Sequence, residues 1–282
     1  MSIVDQVKKI CQAYQLQPTR SKGQNFVINK AVIDKVVGSA NINADESVLE
    51  IGPGLGFLTE ALIVVAKQVI SVELDQKLFK FLQDKFAGSN NLKLINQDIL
   101  FFQPETAGLS RYKIVANLPY NITSYFLKRF LTQVVRPQTM TLLLQREVAQ
   151  RICAKPGELS LLGISVQLYG QPRIVAPVSR QNFWPVPQVE SAIIQIDQIK
   201  TDKQVAEWLD GVLEKHFWQL CHIGFSAKRK QLQNNLAAGL KISNEVAKQA
   251  LLEVNLLANI RAQDLSLTDW LQLAKKLKIY LN

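Results

Sequence analysis

A chain of 282 residues, 48% hydrophobic and with a net charge of +10, is long enough for one large domain or a large and a small one, and it can bury a core. No apolar run reaches the roughly 18 residues that a membrane span needs, and the opening MSIVDQVKKICQAYQLQ lacks a signal peptide's apolar core and cleavage site, so a cytoplasmic protein without membrane association is expected. Cys11, Cys153 and Cys221 lie far apart with no C-x-x-C pair, and His216 and His222 have no cysteine pair near them, which fits reduced thiols and no metal site.

An amphipathic helix is predicted over 1–17, stopped near Pro18, followed by the polar basic loop Thr19 to Asn25 and a short helix from Asn29 to Ser39. Strand and helix patterns then alternate. The β-branched apolar run at 47–52 reads as a strand, as do 68–74, 92–99, 113–119 and 139–145; 56–66, 75–86, 124–134 and 146–154 read as helices. Two further strands are expected at 171–178 and 189–198, around a proline-rich turn. This alternation implies an α/β fold, a parallel doubly wound sheet with right-handed crossovers. The short connection of the closing pair makes one of its strands antiparallel. Beyond Ile199 the pattern is helical only, with Thr201 and Gln204 forming a capping box and helices predicted over 202–217, 226–240, 243–254 and 266–280. The expected domains are therefore 1–199 and a small all-helical 200–282.

The first strand runs into Glu50-Ile51-Gly52-Pro53-Gly54-Leu55-Gly56. Gly52 and Gly54 allow a tight turn and close approach of backbone to a ligand, and are taken as cofactor-binding. A dinucleotide fingerprint would need a third glycine where Phe57 stands, so no phosphate cradle is specified. S-adenosylmethionine has no phosphates and carries a sulfonium cation, which tolerates acidic surroundings. Glu73 ends the second strand, where a carboxylate accepts both ribose hydroxyls, and Asp98 ends the third, where it accepts from the adenine amine.

Asn117-Leu118-Pro119-Tyr120 ends the fourth strand. Pro119 stops the strand and presents rigid carbonyls. An adenine N6 amine is a weak nucleophile because its lone pair is delocalised into the ring. Two acceptors, the Asn117 side-chain oxygen and the Leu118 carbonyl, hold its two hydrogens, draw the nitrogen toward tetrahedral geometry and free the lone pair for direct displacement. Positioning does most of this work. Tyr120 offers a face for the target base, and Phe183 in Asn182-Phe183-Trp184-Pro185-Val186-Pro187 is read as covering the other.

The charge surrounds this centre. Segments 1–30, 31–120, 121–200 and 201–282 carry balances of +4, −2, +5 and +3. A basic surface around a slightly acidic cofactor segment suits a polyanionic partner, although charge serving solubility alone fits composition equally well. Arg146, Arg151, Lys228, Arg229 and Lys230 are the candidate phosphate contacts.

The chain resembles the bacterial small-subunit ribosomal RNA adenine dimethyltransferases, the kasugamycin-sensitivity enzymes, over nearly its whole length. Ser21-Lys22-Gly23-Gln24-Asn25-Phe26 matches the entry motif, and Glu50 to Thr59 the first cofactor motif. Val72-Glu73-Leu74-Asp75, Gln97-Asp98-Ile99 and Asn117 to Ile122 follow in order, as do Gln145 to Arg151 and Phe183 to Ser191. The resemblance implies a Rossmann-like seven-stranded S-adenosylmethionine-dependent methyltransferase sheet with a helical C-terminal domain that docks RNA. It implies cofactor contacts at Asn25, Val27, Gly52, Glu73, Asp98 and Asn117. It also implies N6,N6-dimethylation of two adjacent adenosines in the 3′-terminal hairpin loop of 16S ribosomal RNA, within the small subunit or its precursor, by a monomer. The family usually has leucine at Val27, and its arginine-rich run appears here as Lys228 to Asn235. Rival readings are a macrolide-resistance methyltransferase acting on large-subunit RNA, a DNA adenine or protein-amide methyltransferase, and an RNA-binding factor that keeps the fold without needing catalysis.

Overall fold

Strands covered on both faces must be apolar almost throughout, and the predicted runs meet that condition: Val48, Leu49, Ile70, Ile114 and Leu142 are all fully buried. In the computed structural model, residues 3–16 and 24–281 are described; Ser21, Lys22 and Gly23 of the entry motif, most of the basic loop and the last part of the expected 1–17 helix lie outside them. The chain forms α1 (Ile3–Ala13), β1 (Phe26–Val27), α2 (Lys30–Ala40), β2 (Ser47–Ile51), α3 (Phe57–Val65), β3 (Gln68–Glu73), α4 (Gln76–Lys85) and β4 (Leu92–Asn96). Then come β5 (Tyr112–Asn117), α5 (Thr123–Thr132), β6 (Met140–Gln145), α6 (Arg146–Ile152), β7 (Gln171–Val178), β8 (Phe183–Trp184) and β9 (Ser191–Asp197).

Seven strands form one sheet in the order β4-β3-β2-β5-β6-β9-β7. The first five are parallel, and β9 is antiparallel to both β6 and β7, as the short closing connection requires. The chain builds outward from β2 to β4 and returns to β5 on the other side of β2. That reversal opens a crevice at the carboxyl ends of β2 and β5, the usual ligand position in open α/β sheets. A separate two-stranded ribbon pairs β1 with β8, Phe26 opposite Trp184 and Val27 opposite Phe183.

The expected 92–99 strand is shorter because Asn96 and Asp98 turn the backbone. Asn96 Nδ2 donates to the Glu73 and Leu74 carbonyls, and Asp98 Oδ1 accepts from the Leu100 amide. Two-residue strands such as β1 and β8 carry no period of their own and exist only through each other.

The chain packs as two units, Met1–Ala149 with Gln171–Ile199, and Gln150–Gly170 with Lys200–Asn282. The segment 150–170 was expected within 1–199 but joins the C-terminal helices. The Gly157 and Leu159 amides donate to the Gln263 carbonyl, and Gln263 Nε2 donates to the Gly157 carbonyl. The second unit contains α7 (Leu161–Gln167), α8 (Asp202–Leu209), α9 (Glu214–Gly224), α10 (Leu232–Leu240), α11 (Asn244–Glu253) and α12 (Leu267–Lys276), around buried Phe217, Leu236 and Trp270. The Thr201–Gln204 capping box is present. The helix expected over 202–217 breaks at left-handed Asp210, and the one expected over 226–240 begins only at Leu232. Among the described residues no helix is long and apolar enough to cross a membrane.

Candidate active site

Where β2 ends, the chain turns through Gly52, Gly54 and Gly56, all left-handed. At Gly54 no side chain fits, because a Cβ would lie 2.8 Å from the Phe26 ring. Its amide is aimed instead at Glu73, donating to Oε2 at 3.2 Å, while the Asp75 amide donates to Oε1 at 2.9 Å. Glu73 is thereby fixed at the end of β3. Burial raises its carboxyl above the ordinary range, against those two amides, which favour the charged form. Each carboxylate oxygen keeps a lone pair for a further donor.

A cleft of about 560 Å³ opens at this edge, within the range of about 300–1,000 Å³ common to small-molecule sites. Asn25, Gly52, Gly54, Glu73, Asp98 and Asn117 line it. Six of the expected residues, scattered over 93 positions of sequence from Asn25 to Asn117, thus share one wall system. Among the described residues Asp98 Oδ2 receives no donor, so the carboxylate retains an acceptor beside the cleft. Acidic acceptors at Glu73 and Asp98 match the hydroxyl and amine donors of a nucleoside cofactor.

Asn117 is the end of β5. Its Nδ2 donates to the Asn25 carbonyl at 2.8 Å. A carbonyl can only accept, so this contact decides which end of the amide is which and turns Oδ1 the other way as an acceptor. The Leu118 amide is used, donating to the Leu143 carbonyl at 3.0 Å, whereas no described residue donates to the Leu118 carbonyl. Pro119 lines the cleft directly after them. The strand end therefore offers two neighbouring acceptors without donors. The physical role of Asn25 is invisible to local pattern, because its partner lies 92 residues away.

Tyr120 is half-buried, with its hydroxyl 3.0 Å from Ser191 Oγ at the start of β9, and burial raises its phenol above the ordinary range. Phe183 departs from expectation. Its ring is 1% exposed and packs with Val36, Leu143 and Ile193 in the core, because the ribbon with Val27 turns it inward. It does not line the cleft.

Glu50 differs from the two other acids of the strand ends. It is 1% exposed and faces a small cavity of about 30 Å³, shared with Val27, Gly52 and Asn117, rather than the cleft. Thr59 and Ser71 both donate to Oε2, at 2.7 and 2.6 Å, while Oε1 is buried without a partner. Burial pushes this carboxyl up to about 7, against the two hydroxyls.

Arg146 and Arg151 are exposed on α6, and Lys228, Arg229 and Lys230 are exposed in the turn before α10.

The ribosomal RNA adenine dimethylase family model matches residues 16–278. The chain is 41% identical over 275 residues to the ribosomal RNA small subunit methyltransferase A of Dehalococcoides mccartyi strain CBDB1, covering 96% of this chain and 92% of that protein. It is similar in structure to a dimethyladenosine transferase from Plasmodium falciparum, with TM-score 0.75 and 25% identity over 89% of this chain and 97% of the other. The 23S rRNA methyltransferase ErmE aligns with TM-score 0.70 and 26% identity, over 90% of this chain and all of the other.

Proposed function

The chain belongs to the ribosomal RNA adenine dimethylase family, and on that premise we propose that it dimethylates N6 of two adjacent adenosines in the 3′-terminal hairpin loop of 16S ribosomal RNA, in the small subunit or its precursor. It is an S-adenosylmethionine-dependent methyltransferase acting on adenine of small-subunit ribosomal RNA. The observation that carries the residue assignments is the Asn117 amide turned by the Asn25 carbonyl, with the acceptor of Leu118 beside it.

Glu73 accepts the ribose hydroxyls of the cofactor, Asp98 accepts from its adenine amine, and Gly52 and Gly54 bring backbone close to it. Asn25 shapes the adjoining wall, and Val27 braces it from the ribbon. When bound, S-adenosylmethionine supplies an electrophilic methyl group. Asn117 Oδ1 and the Leu118 carbonyl hold the two N6 hydrogens for the first methyl, and one of them holds the remaining hydrogen for the second, so the nitrogen lone pair is released from the ring and directed outward. Pro119 keeps that backbone rigid. Tyr120, its hydroxyl held by Ser191, braces the site beside the target base. After transfer the nitrogen gives up its surplus proton to water, and no strong base of the chain is needed. Phe183 supports this wall from within the core rather than touching the base.

Residues 200–282 serve as the RNA-docking region, with Lys228, Arg229 and Lys230 on phosphates and Arg146 and Arg151 extending the contact. The enzyme is read as a monomer that meets its ribosomal substrate in the cytoplasm.

The test is direct. Small subunits lacking the modification are incubated with the protein and methyl-labelled cofactor, and the labelled nucleotides are mapped. Two adjacent dimethyladenosines in the terminal hairpin loop are expected. Label confined to large-subunit RNA, or to isolated adenines elsewhere, would overturn the site assignment.

A further inference from the structure

Two large aromatic side chains stand in solvent on segments that also line the cleft. Phe101 is 72% exposed and Tyr125 is 73% exposed. Phe101 sits in the turn that follows Asp98. There the Leu100 amide donates to Asp98 Oδ1 at 2.8 Å, the Phe101 amide to the Asp98 carbonyl at 3.0 Å, and the Phe102 amide to the Ile99 carbonyl at 3.3 Å. Phe102 goes into the core, so the same turn holds its neighbour outward.

Tyr125 is in the first turn of α5. The inner face of that helix buries Phe126, Leu127, Phe130 and Leu131, which leaves Tyr125 and Lys128 outside. Arg129 then joins the two elements, its Nη2 donating to the Phe102 carbonyl at 2.7 Å. Tyr125 and Arg129 are four residues apart and share a helix face. Tyr125 and Arg129 thus stand about one helical pitch apart, roughly 5–6 Å along the axis, on the helix that grips the Phe101–Phe102 turn. Ile99 and Ile122, two and three residues away from Phe101 and Tyr125, line the cleft. Lys128 is exposed and has no ion-pair partner among the described residues.

A single surface aromatic is ordinary. Two exposed aromatics on hydrogen-bonded elements, each within three residues of the cleft lining, with an unpaired ammonium group on the same helix as one of them, match the composition of a single-strand stacking surface. We propose that Phe101 and Tyr125 form a stacking platform for the unpaired bases that flank the target adenosine, with Lys128 on a phosphate of the same strand. The proposal rests on the reading that the substrate is adenine in RNA. Drawing an adenine into the site strips its neighbours of their own stacking. Aromatic faces replace that loss for any base, because every base has a π-face. The platform positions the strand and leaves the chemistry to Asn117 and Leu118.

The experiment compares the wild-type protein with two double variants, Phe101→Ala with Tyr125→Ala and Phe101→Leu with Tyr125→Leu, and with Tyr125→Trp. Initial rates are measured on small subunits lacking the modification, and S-adenosylmethionine binding is measured by calorimetry. For the alanine pair KM for the subunit should rise about tenfold, with kcat within about twofold and cofactor affinity unchanged. The leucine pair keeps apolar area without a π-face and should be as weak as the alanine pair, whereas Tyr125→Trp should match the wild type. A leucine pair equal to the wild type, an unchanged KM for the alanine pair, or a parallel loss of cofactor affinity would each overturn the platform. A wild-type protein that transfers no methyl group to ribosomal adenine would instead overturn the functional reading, and the platform with it.

Discussion

Asn117 concentrates the chemistry because its amide has one orientation. With Nδ2 committed to the Asn25 carbonyl, Oδ1 is the only end free to receive a substrate hydrogen. Asn117→Ala should lower the rate of methyl transfer by on the order of 100-fold or more, while S-adenosylmethionine binding remains measurable by calorimetry; a variant with near-normal turnover would refute the role. Glu73→Ala acts on the other ligand and should weaken cofactor binding by about 1–3 kcal/mol, the loss of hydrogen bonds to a charged group. Glu50 is a different case. Its carboxyl titrates near 7 in the folded protein, raised from an ordinary 4.5 by burial. The folded state thus keeps a proton that the unfolded state releases as pH rises from about 4.5 to 7. Unfolding free energy falls through that window and is flat above it, by at most roughly 3 kcal/mol. Glu50→Gln should flatten this slope, so urea unfolding at pH 5 and pH 8 should show the variant gaining on the parent at the higher pH. An identical slope in both proteins would contradict the buried-carboxyl account.

The elements that build the site were legible to different degrees for physical reasons. β2, β3, β5 and β6 are covered on both faces, so their apolar runs announce themselves within a residue or two. The glycine loop, Glu73, Asp98 and Asn117 were visible because strand ends and turns carry local signatures. The β1–β8 ribbon was not, since neither half is longer than two residues, and with it went the inward position of Phe183. Nor could spacing reveal that Thr59 and Ser71 both bind Glu50. Helix breaks at Asp210 and before Leu232 were missed because apolar periodicity continues through the turns. The loop after β2 supplies a paired prediction. Gly54→Ala meets the Phe26 ring at 2.8 Å and Gly56→Ala meets Phe86 at 2.6 Å, both at positive φ. Each should lose about 1–3 kcal/mol in denaturant unfolding. Only Gly54 lines the cleft and holds Glu73, so only Gly54→Ala should also weaken S-adenosylmethionine binding.

For the molecule as a whole the net charge of +10 matters through its distribution, since the basic excess lies outside the segment 31–120 that supplies most of the cleft. Binding to ribosomal RNA should weaken steeply with salt. Replacing Lys228, Arg229 and Lys230 together by alanine should lower the slope of log affinity against log salt by up to about three, near one for each phosphate that is no longer neutralised. Filter binding between about 50 and 200 mM salt reads this, and an unaltered slope would assign these charges to solubility alone.

The Phe26–Trp184 ribbon also has a consequence in time. Its partners are about 160 positions apart in the chain, a separation typical of slow, non-local pairing. The Ile28 amide and the Asn29 side chain both attach to Asn182, so the backbone that turns Asn117 depends on the same distant segment. A growing chain that has passed Tyr120 already possesses the whole Asn117–Tyr120 run, yet it has no clamp to hold Asn25 over it. Residue 184 must leave the ribosome before the pocket closes, and β9 must follow before the sheet is filled. During synthesis, then, the wall that turns Asn117 lacks its distant half until nearly two-thirds of the chain has been made.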